Sequence, residues 1–340
     1  MSDWIEIQEV DDPAQVNDWD ELVDSSPEPN PMMLAGWHGI LKSVFAVRPL
    51  YLRAVHKDQS LGVMALYHAR SLLAGNVLRG MDGTTATRKN GNSELIAKAM
   101  SWAKKHGVAY CQFRCPVAGI TDARVELKVH TRVALANGAS AIWNRISSNT
   151  RRKVRKAGKL GYEVITSEHI PSEFATIYLR RQRDLGTPSP QANLFQAMNE
   201  HLSGRLVFLA VKRGQELLGG AVLLCAGSVW LNLYTAVEPE AQLDYASYLL
   251  YWNMIEHAVA EGGTILDLGR SRPESGTHRF KLPWASDDLI RQYTLFPVCG
   301  KIPAVSLDKS AGFKHEIWKR LPLQIAGPAG GFLRRSIPFA

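Results

Sequence analysis

RPLYLRAVHKDQSLGVMALYH (48–68) can be laid without a gap on RLVFLAVKRGQELLGGAVLLC (205–225), and this alignment decides the fold. Arg48 falls on Arg205, Tyr51 on Phe208, Leu52 on Leu209 and Gly62 on Gly219. Each stretch holds two apolar runs rich in Val, Leu and aromatics, broken by a polar turn (HKDQS, KRGQE), which is the pattern of a β-hairpin. Downstream, SELIAKAMSWAKKHGVAYCQFR (93–114) parallels ASYLLYWNMIEHAVAEGGTILDLGR (246–270). Both read as an amphipathic helix, a glycine-bearing stop with Gly107 on Gly263, and a short apolar strand. Upstream of each hairpin lies a helical stretch, ELVDSSPEPNPMMLAGWHGILKSVF (21–45) in the first half and SEFATIYLRRQRDLG (172–186) with ANLFQAMNEHLS (192–203) in the second. The unit of helices, antiparallel strands, helix and strand therefore occurs twice. Its period near 155 residues suits a duplicated domain, because solenoid repeats run from about 20 to 50 residues.

A length of 340 residues also points to two domains. We place them at 1–145 and 146–316, followed by a basic and apolar tail, 317–340; the junction lies near 140–150, where polar NRISSNT (144–150) precedes a basic helix. The apolar (46%) and charged (21%) fractions are those of a globular protein that folds without metals or cross-links. MSDWIEIQEV (1–10) lacks a basic region followed by an apolar core, and no apolar run approaches eighteen residues, so a cytoplasmic location is expected. Cys111, Cys115, Cys225 and Cys299 are scattered apart from one C-x₃-C pair and are read as buried thiols. No histidine set completes a zinc site, and no metal is expected. A net charge of +8 favours an anionic partner. Arg151, Arg152, Lys153, Arg155, Lys156 and Lys159 concentrate it in nine residues, with Lys319, Arg320, Arg334 and Arg335 in the tail.

The segment LDLGRSRPESGTHRFKLPW (266–284) reads as a strand ending in D-x-G-x, a glycine-containing loop, then F-K and an aromatic. With the duplicated order of elements, it resembles the FemAB-like family, which uses the GNAT acyltransferase fold in tandem. RRKVRKAGKLGYEV (151–164) looks like that family's basic helix entering the second domain. WKRLPLQIAGPAGGFLRRSIP (318–338) is similar to a tail of exopolysaccharide-associated members. The resemblance implies an α/β fold, an α+β mixed sheet in two tandem GNAT-like (acyl-CoA N-acyltransferase) domains. It also implies acyl transfer from acyl-CoA or aminoacyl-tRNA to an amine or hydroxyl on a sugar or peptidoglycan-type acceptor of the cell envelope. The chain looks like the compact kind, without the long helical insertion of some Fem ligases.

Acyl transfer needs a deprotonated nucleophile, an oxyanion stabiliser and a clamp for the anionic carrier. Asp267 is the one carboxylate in an apolar run at the end of a predicted strand, where burial would suit it to act as a base; a turn-bonding Asp is the alternative. Arg270 and Arg272, flanking Ser271, present guanidinium forks suited to phosphate or carboxylate, or are simply solvated. The resemblance places Lys281 on the lysine of the family's F-K motif, against substrate phosphate or the reacting group; otherwise it is a strand lysine facing solvent. His278 suits proton transfer near neutrality or is structural. Phe280, Trp284 and Tyr234 complete the expected substrate site; Trp284 and Tyr234 are read as walls of the groove or as core, and Tyr234, near the end of its strand, as the one able to reach a reacting atom.

GNAT domains hold the carrier pyrophosphate with Q/R-x-x-G-x-G/A at a helix N-terminus. AQLDYASYLL (241–250) has no glycine there, whereas RKNGNS (88–93) keeps a near-match with Arg88 and Gly91. Helical spacing puts Arg151, Arg155 and Lys159 on one face with Arg152 beside them, able to line phosphates. A non-catalytic adaptor docking its basic faces on an anionic membrane or nucleic acid is the competing reading, and in either role the tail could contact the inner membrane surface peripherally.

Overall fold

The computed structural model describes residues 5–334 except 17, 58, 72–74, 82–84, 87–88, 116, 118–121 and 304–311. Two compact units result: Met1–Leu127 with Arg291–Lys314 and Phe332–Ala340, and Lys128–Ile290 with His315–Gly331. The chain thus first leaves one unit at 127/128, earlier than the 145/146 boundary drawn from sequence, and it crosses more than once.

The first half runs β1 (Glu6–Val10), α1 (Trp19–Asp24), α2 (Trp37–Ser43), β2 (Arg48–His56), β3 (Gln59–Ser71), β4 (Gly75–Gly80), β5 (Thr85–Ala86), α3 (Lys89–Lys105), β6 (Tyr110–Phe113) and β7 (Arg124–Ala134). The second runs α4 (Gly138–Arg145), α5 (Ser148–Lys159), β8 (Tyr162–Ser167), α6 (Ser172–Asp184), α7 (Leu194–His201), β9 (Leu206–Arg213), β10 (Glu216–Ala226), β11 (Val229–Val237), α8 (Pro239–Leu243), α9 (Ala246–Ala260) and β12 (Ile265–Ser271). It ends with α10 (Gly276–Lys281), β13 (Asp287–Pro297), α11 (Gly312–Lys319) and α12 (Leu323–Arg334).

The first unit's strands lie in the order β1-β2-β3-β4-β6-β13, the second's in the order β8-β9-β10-β11-β12-β7. In each, antiparallel neighbours surround one parallel pair, β4 with β6 and β11 with β12. The sixth strand is exchanged: β13, late in the chain, pairs with β6, whereas β7, from the first half, pairs with β12. The repeat extends to irregularities. The β2–β3 register shifts around Leu61 and the β9–β10 register around Leu218, positions that the sequence alignment superimposes. Such a bulge sharpens strand twist, and the same device at the same place is a mark of duplication.

Each parallel pair is bridged by a helix whose apolar face covers the sheet. In the first unit α3 sets Leu95, Ala99 and Trp102 into a core with Leu50, Leu52, Leu66 and Leu78. In the second, Leu250, Met254 and Ile255 of α9 meet Leu209, Val211, Leu223 and Leu266. Burying each such side chain contributes about 1.5–3 kcal/mol. Val154 and Ala157 of α5 join the second core, which turns the remaining, basic face of α5 outward along α9. In the tail, Gly330 of α12 leaves room for the 189 backbone: a Cβ there would lie 2.9 Å from Ser189 N. Among the thiols Cys111 is buried and Cys299 is exposed, which corrects the expectation of four buried cysteines.

Candidate active site

The parallel seam of the second unit is short. Val229, Trp230 and Leu231 of β11 pair with Ile265, Leu266 and Asp267 of β12, and beyond them both strands become irregular. On β11 the register with β10 shifts between Asn232 and Tyr234; on β12 the register with β7 shifts between Asp267 and Arg270. Gly269 sits in this kink with φ +80°, and a Cβ on it would lie 2.7 Å from Asn232 O. The first unit's seam is bridged differently, by the Arg114 guanidinium donating to Met81 O at 2.6 Å.

Around the kink lies a chain of hydrogen bonds. His130 Nδ1 is 2.8 Å from Asp267 Oδ2, and Gly269 N–H donates to Asp267 Oδ1 at 2.7 Å. Lys281 Nζ donates to Gly269 O at 2.7 Å and to Arg270 O at 3.3 Å. Lys281 is only 4% exposed. Burial pushes its amine down to about 8, with the Asp267 carboxylate opposing that fall, Arg270 adding to it and Asp288 opposing it. The amine therefore stays largely protonated at neutral pH.

The sequence-nominated residues are partly gathered here. Asp267 lies within β12, which continues to Ser271, rather than ending a strand. The expected loop before F-K is the short helix α10, capped by Ser275 Oγ accepting from His278 N. Lys281 is thus a buried helical residue, not a strand lysine facing solvent. His278 has both ring nitrogens engaged: Nδ1 accepts from Glu274 N at 3.2 Å and Nε2 lies 3.0 Å from Asp288 Oδ2. Phe280 and Trp284 pack on Tyr248 and Tyr251 of α9. Burial pushes the Tyr251 hydroxyl up to about 12, opposed by hydrogen bonds from Asn232 and Thr235 of β11. Tyr234 is turned elsewhere, edge-on to Tyr178 of α6 and Phe195 of α7. Ser271 is buried, Arg270 half-buried and Arg272 exposed.

The basic helix divides by face. Arg151 donates to Trp143 O, Asn144 O and Ile146 O, closing the C-terminal end of α4, and Arg155 lies over the Trp143 ring at 5.3 Å. Arg151 is thereby tied to the end of α4, whereas Arg155 stays exposed beside the ring, so only part of the face expected to line phosphates is engaged in packing. Arg152 donates to Asn149 Oδ1. The cations beside α9 are instead Lys153, whose Nζ donates to Tyr248 OH at 2.8 Å, and Lys156, 5.0 Å from the Tyr245 ring centre. Tyr245 takes the left-handed conformation (φ 68°) at the α9 N-cap and supplies no side-chain cap. Arg88 lies outside the described residues, and Gly91 falls in the first turn of α3. Lys153 and Lys156 carry no mark in the sequence that sets them apart from the rest of the basic run. No local pattern marks His130, which reaches Asp267 across 137 residues of chain. Among the described residues no group of three or more His, Cys, Asp or Glu side chains could hold a metal, and no helix is long and apolar enough to cross a membrane.

Residues 144–282 match the family model described as Acetyltransferase (GNAT) domain. The chain has the tandem GNAT fold. The crystal structure of FemX superposes with a TM-score of 0.66 at 16% identity, covering 85% of this chain and 96% of FemX. A tandem GNAT protein from the clavulanic acid biosynthesis pathway gives 0.55 at 14% identity over 87% and 99% of the two chains. A conserved protein of unknown function from Bacteroides thetaiotaomicron VPI-5482 gives 0.59 at 10% identity over 87% and 100%. No curated protein matches the chain at the sequence level. The FemAB-like resemblance is thus borne out in the tandem GNAT fold, and the matched segment contains β11, α9, β12 and the F-K pair.

Proposed function

We propose that this tandem GNAT protein transfers an activated acyl or aminoacyl group to an amine or hydroxyl of a cell-envelope precursor, in the second unit. The observation that carries the reading is a buried ammonium, Lys281, tied to carbonyls of the β12 kink beside a parallel seam that ends after three residue pairs. A cation held rigidly in a dry setting stabilises charge developing on a reacting carbonyl or phosphate far better than one in water. The carrier's phosphates would meet the N-terminal end of α9, where the helix dipole adds to Lys153 and Lys156. Side-chain cations there would replace the missing glycines. The donor is acyl-CoA or aminoacyl-tRNA. The FemX likeness supports an envelope acceptor by way of the family resemblance, and the tandem GNAT protein recorded without AcCoA makes a CoA thioester the first donor to try.

The test is thermal stabilisation against acetyl-CoA, longer acyl-CoAs, charged tRNA and UDP-sugar precursors. A ligand at 100 times its Kd adds about 2.7 kcal/mol. A shift with thioesters supports acyl-CoA transfer, and a shift with charged tRNA supports aminoacyl transfer. Silence throughout overturns the enzyme and leaves the adaptor, whose binding to generic polyanions falls steeply with salt.

Two further outcomes follow from the geometry. Replacing Lys153 and Lys156 together by alanine should raise KM for the carrier at least about tenfold with little change in kcat, because charge-assisted contacts are worth about 1.5–3 kcal/mol each; steady-state kinetics of a variant with an unaltered melt decides this. Turnover should hold through neutrality and decline as pH rises through about 8, where Lys281 loses its proton. Since the Asp267 carboxylate raises that midpoint, Asp267→Asn should move the decline to lower pH. A rate that instead climbs through pH 8 would mean that the neutral amine is the active form.

A further inference from the structure

Asp267 and His278, the groups that the sequence marks for handling protons, are both held in place. Asp267 accepts at Oδ1 and meets His130 at Oδ2; His278 has both nitrogens engaged. His130 differs. It is 6% exposed, its Nδ1 faces the carboxylate, and its Nε2 is buried with no hydrogen-bond partner among the described residues. Leaving a buried polar atom unpaired costs about 1–3 kcal/mol, so the ring's contact with Asp267 has to be valuable to the fold or to the site.

A buried carboxylate keeps its charge only while donors surround it. Asp267 receives one from the Gly269 backbone and one from His130, and the Gly269 bond holds that residue at φ +80°. The carbonyl of the same residue then receives the Lys281 amine. The order is continuous: imidazole, carboxylate, Gly269 amide, Gly269 carbonyl, ammonium.

We propose that His130 is a positioning residue of the transfer site, acting through Asp267 to fix the β12 kink and thereby the place of the Lys281 ammonium. The inference rests on the acyl-transfer reading for its effect on turnover, but its geometry belongs to the folded chain alone. Without the Nδ1 contact the Asp267 carboxylate is free to turn, Gly269 relaxes and Lys281 loses its seat. Asp267, Arg270 and Asp288 are the charged groups acting on that amine, so a displaced Lys281 also titrates differently.

The two ring nitrogens can be replaced separately. The side-chain amide of His130→Asn puts a donor where Nδ1 lies, whereas that of His130→Gln falls nearer the place of Nε2. The proposal predicts that Asn keeps kcat within about threefold of wild type, while Gln and Ala lower kcat about 10–100-fold with KM little changed, the range seen when an outer partner of a functional group is lost. A second readout needs no substrate: NMR titration of the ¹³C-labelled Lys281 side chain, assigned with Lys281→Arg. Its midpoint near 8 should persist in His130→Asn and move in His130→Gln and His130→Ala. Rescue by Gln and not by Asn would place the action at Nε2 and overturn the proposal. Identical Lys281 titrations in all three folded variants would overturn it as well. If wild type transfers no acyl group while the titrations differ as predicted, the acyl-transfer reading fails and the positioning role stands.

Discussion

Lys281→Ala is expected to lower turnover by roughly 10²–10³, the loss seen when one preorganised stabiliser of developing charge is removed. The amine is fixed by Gly269 O and Arg270 O rather than swinging from the surface, so no reorganisation is needed when charge develops beside it. The fold should not suffer in proportion. Keeping a cation 4% exposed is unfavourable, and burial has already lowered its proton affinity. Lys281→Met, which keeps an unbranched apolar stem without the ammonium, should therefore melt within a few degrees of wild type while being equally inactive. Kinetics and melting of the two variants check this. Turnover within threefold of wild type in both would remove Lys281 from the chemistry.

The second large effect falls on the fold and the site together. Gly269→Ala should destabilise the protein by roughly 3 kcal/mol, combining an unfavourable left-handed conformation with a contact the core cannot absorb. The new Cβ would lie 2.7 Å from Asn232 O, a backbone atom of the neighbouring strand that no rotamer change can move. For a domain of this size that corresponds to a fall in melting temperature of about 6–12 °C. What survives folding should also lose turnover, because the same residue carries the carbonyl that holds Lys281. A melt unchanged by the substitution would mean that the seam is wider than described.

The hairpins were legible because strand periodicity and turn chemistry are local, and the alignment of 48–68 on 205–225 held to the bulges at Leu61 and Leu218. The exchange of β7 and β13 was not, because the choice of a sixth strand depends on pairing between distant segments that no spacing encodes. The F-K segment shows the same division. Its residue types pointed to Lys281, yet the helix that buries it depends on a Ser275 cap and on Tyr248 and Tyr251 far back on α9. Helical spacing correctly grouped Arg151 with Arg155, but spacing does not say that Arg151 closes the end of α4 while Arg155, over the Trp143 ring, stays exposed. His130 lay beyond reach, since a single histidine in a strand acquires meaning only from the carboxylate folded against it.

Hydrogen exchange with and without the stabilising carrier locates the carrier on the chain without assuming what is transferred. Carrier bound in the second unit slows exchange at the β11 and β12 kinks and at the α9 N-terminus, residues 232–235, 245–248 and 268–271, and leaves the first unit's seam unchanged. Protection confined to 75–80 and 89–95 of the first unit, with the second unit unaffected, would contradict it.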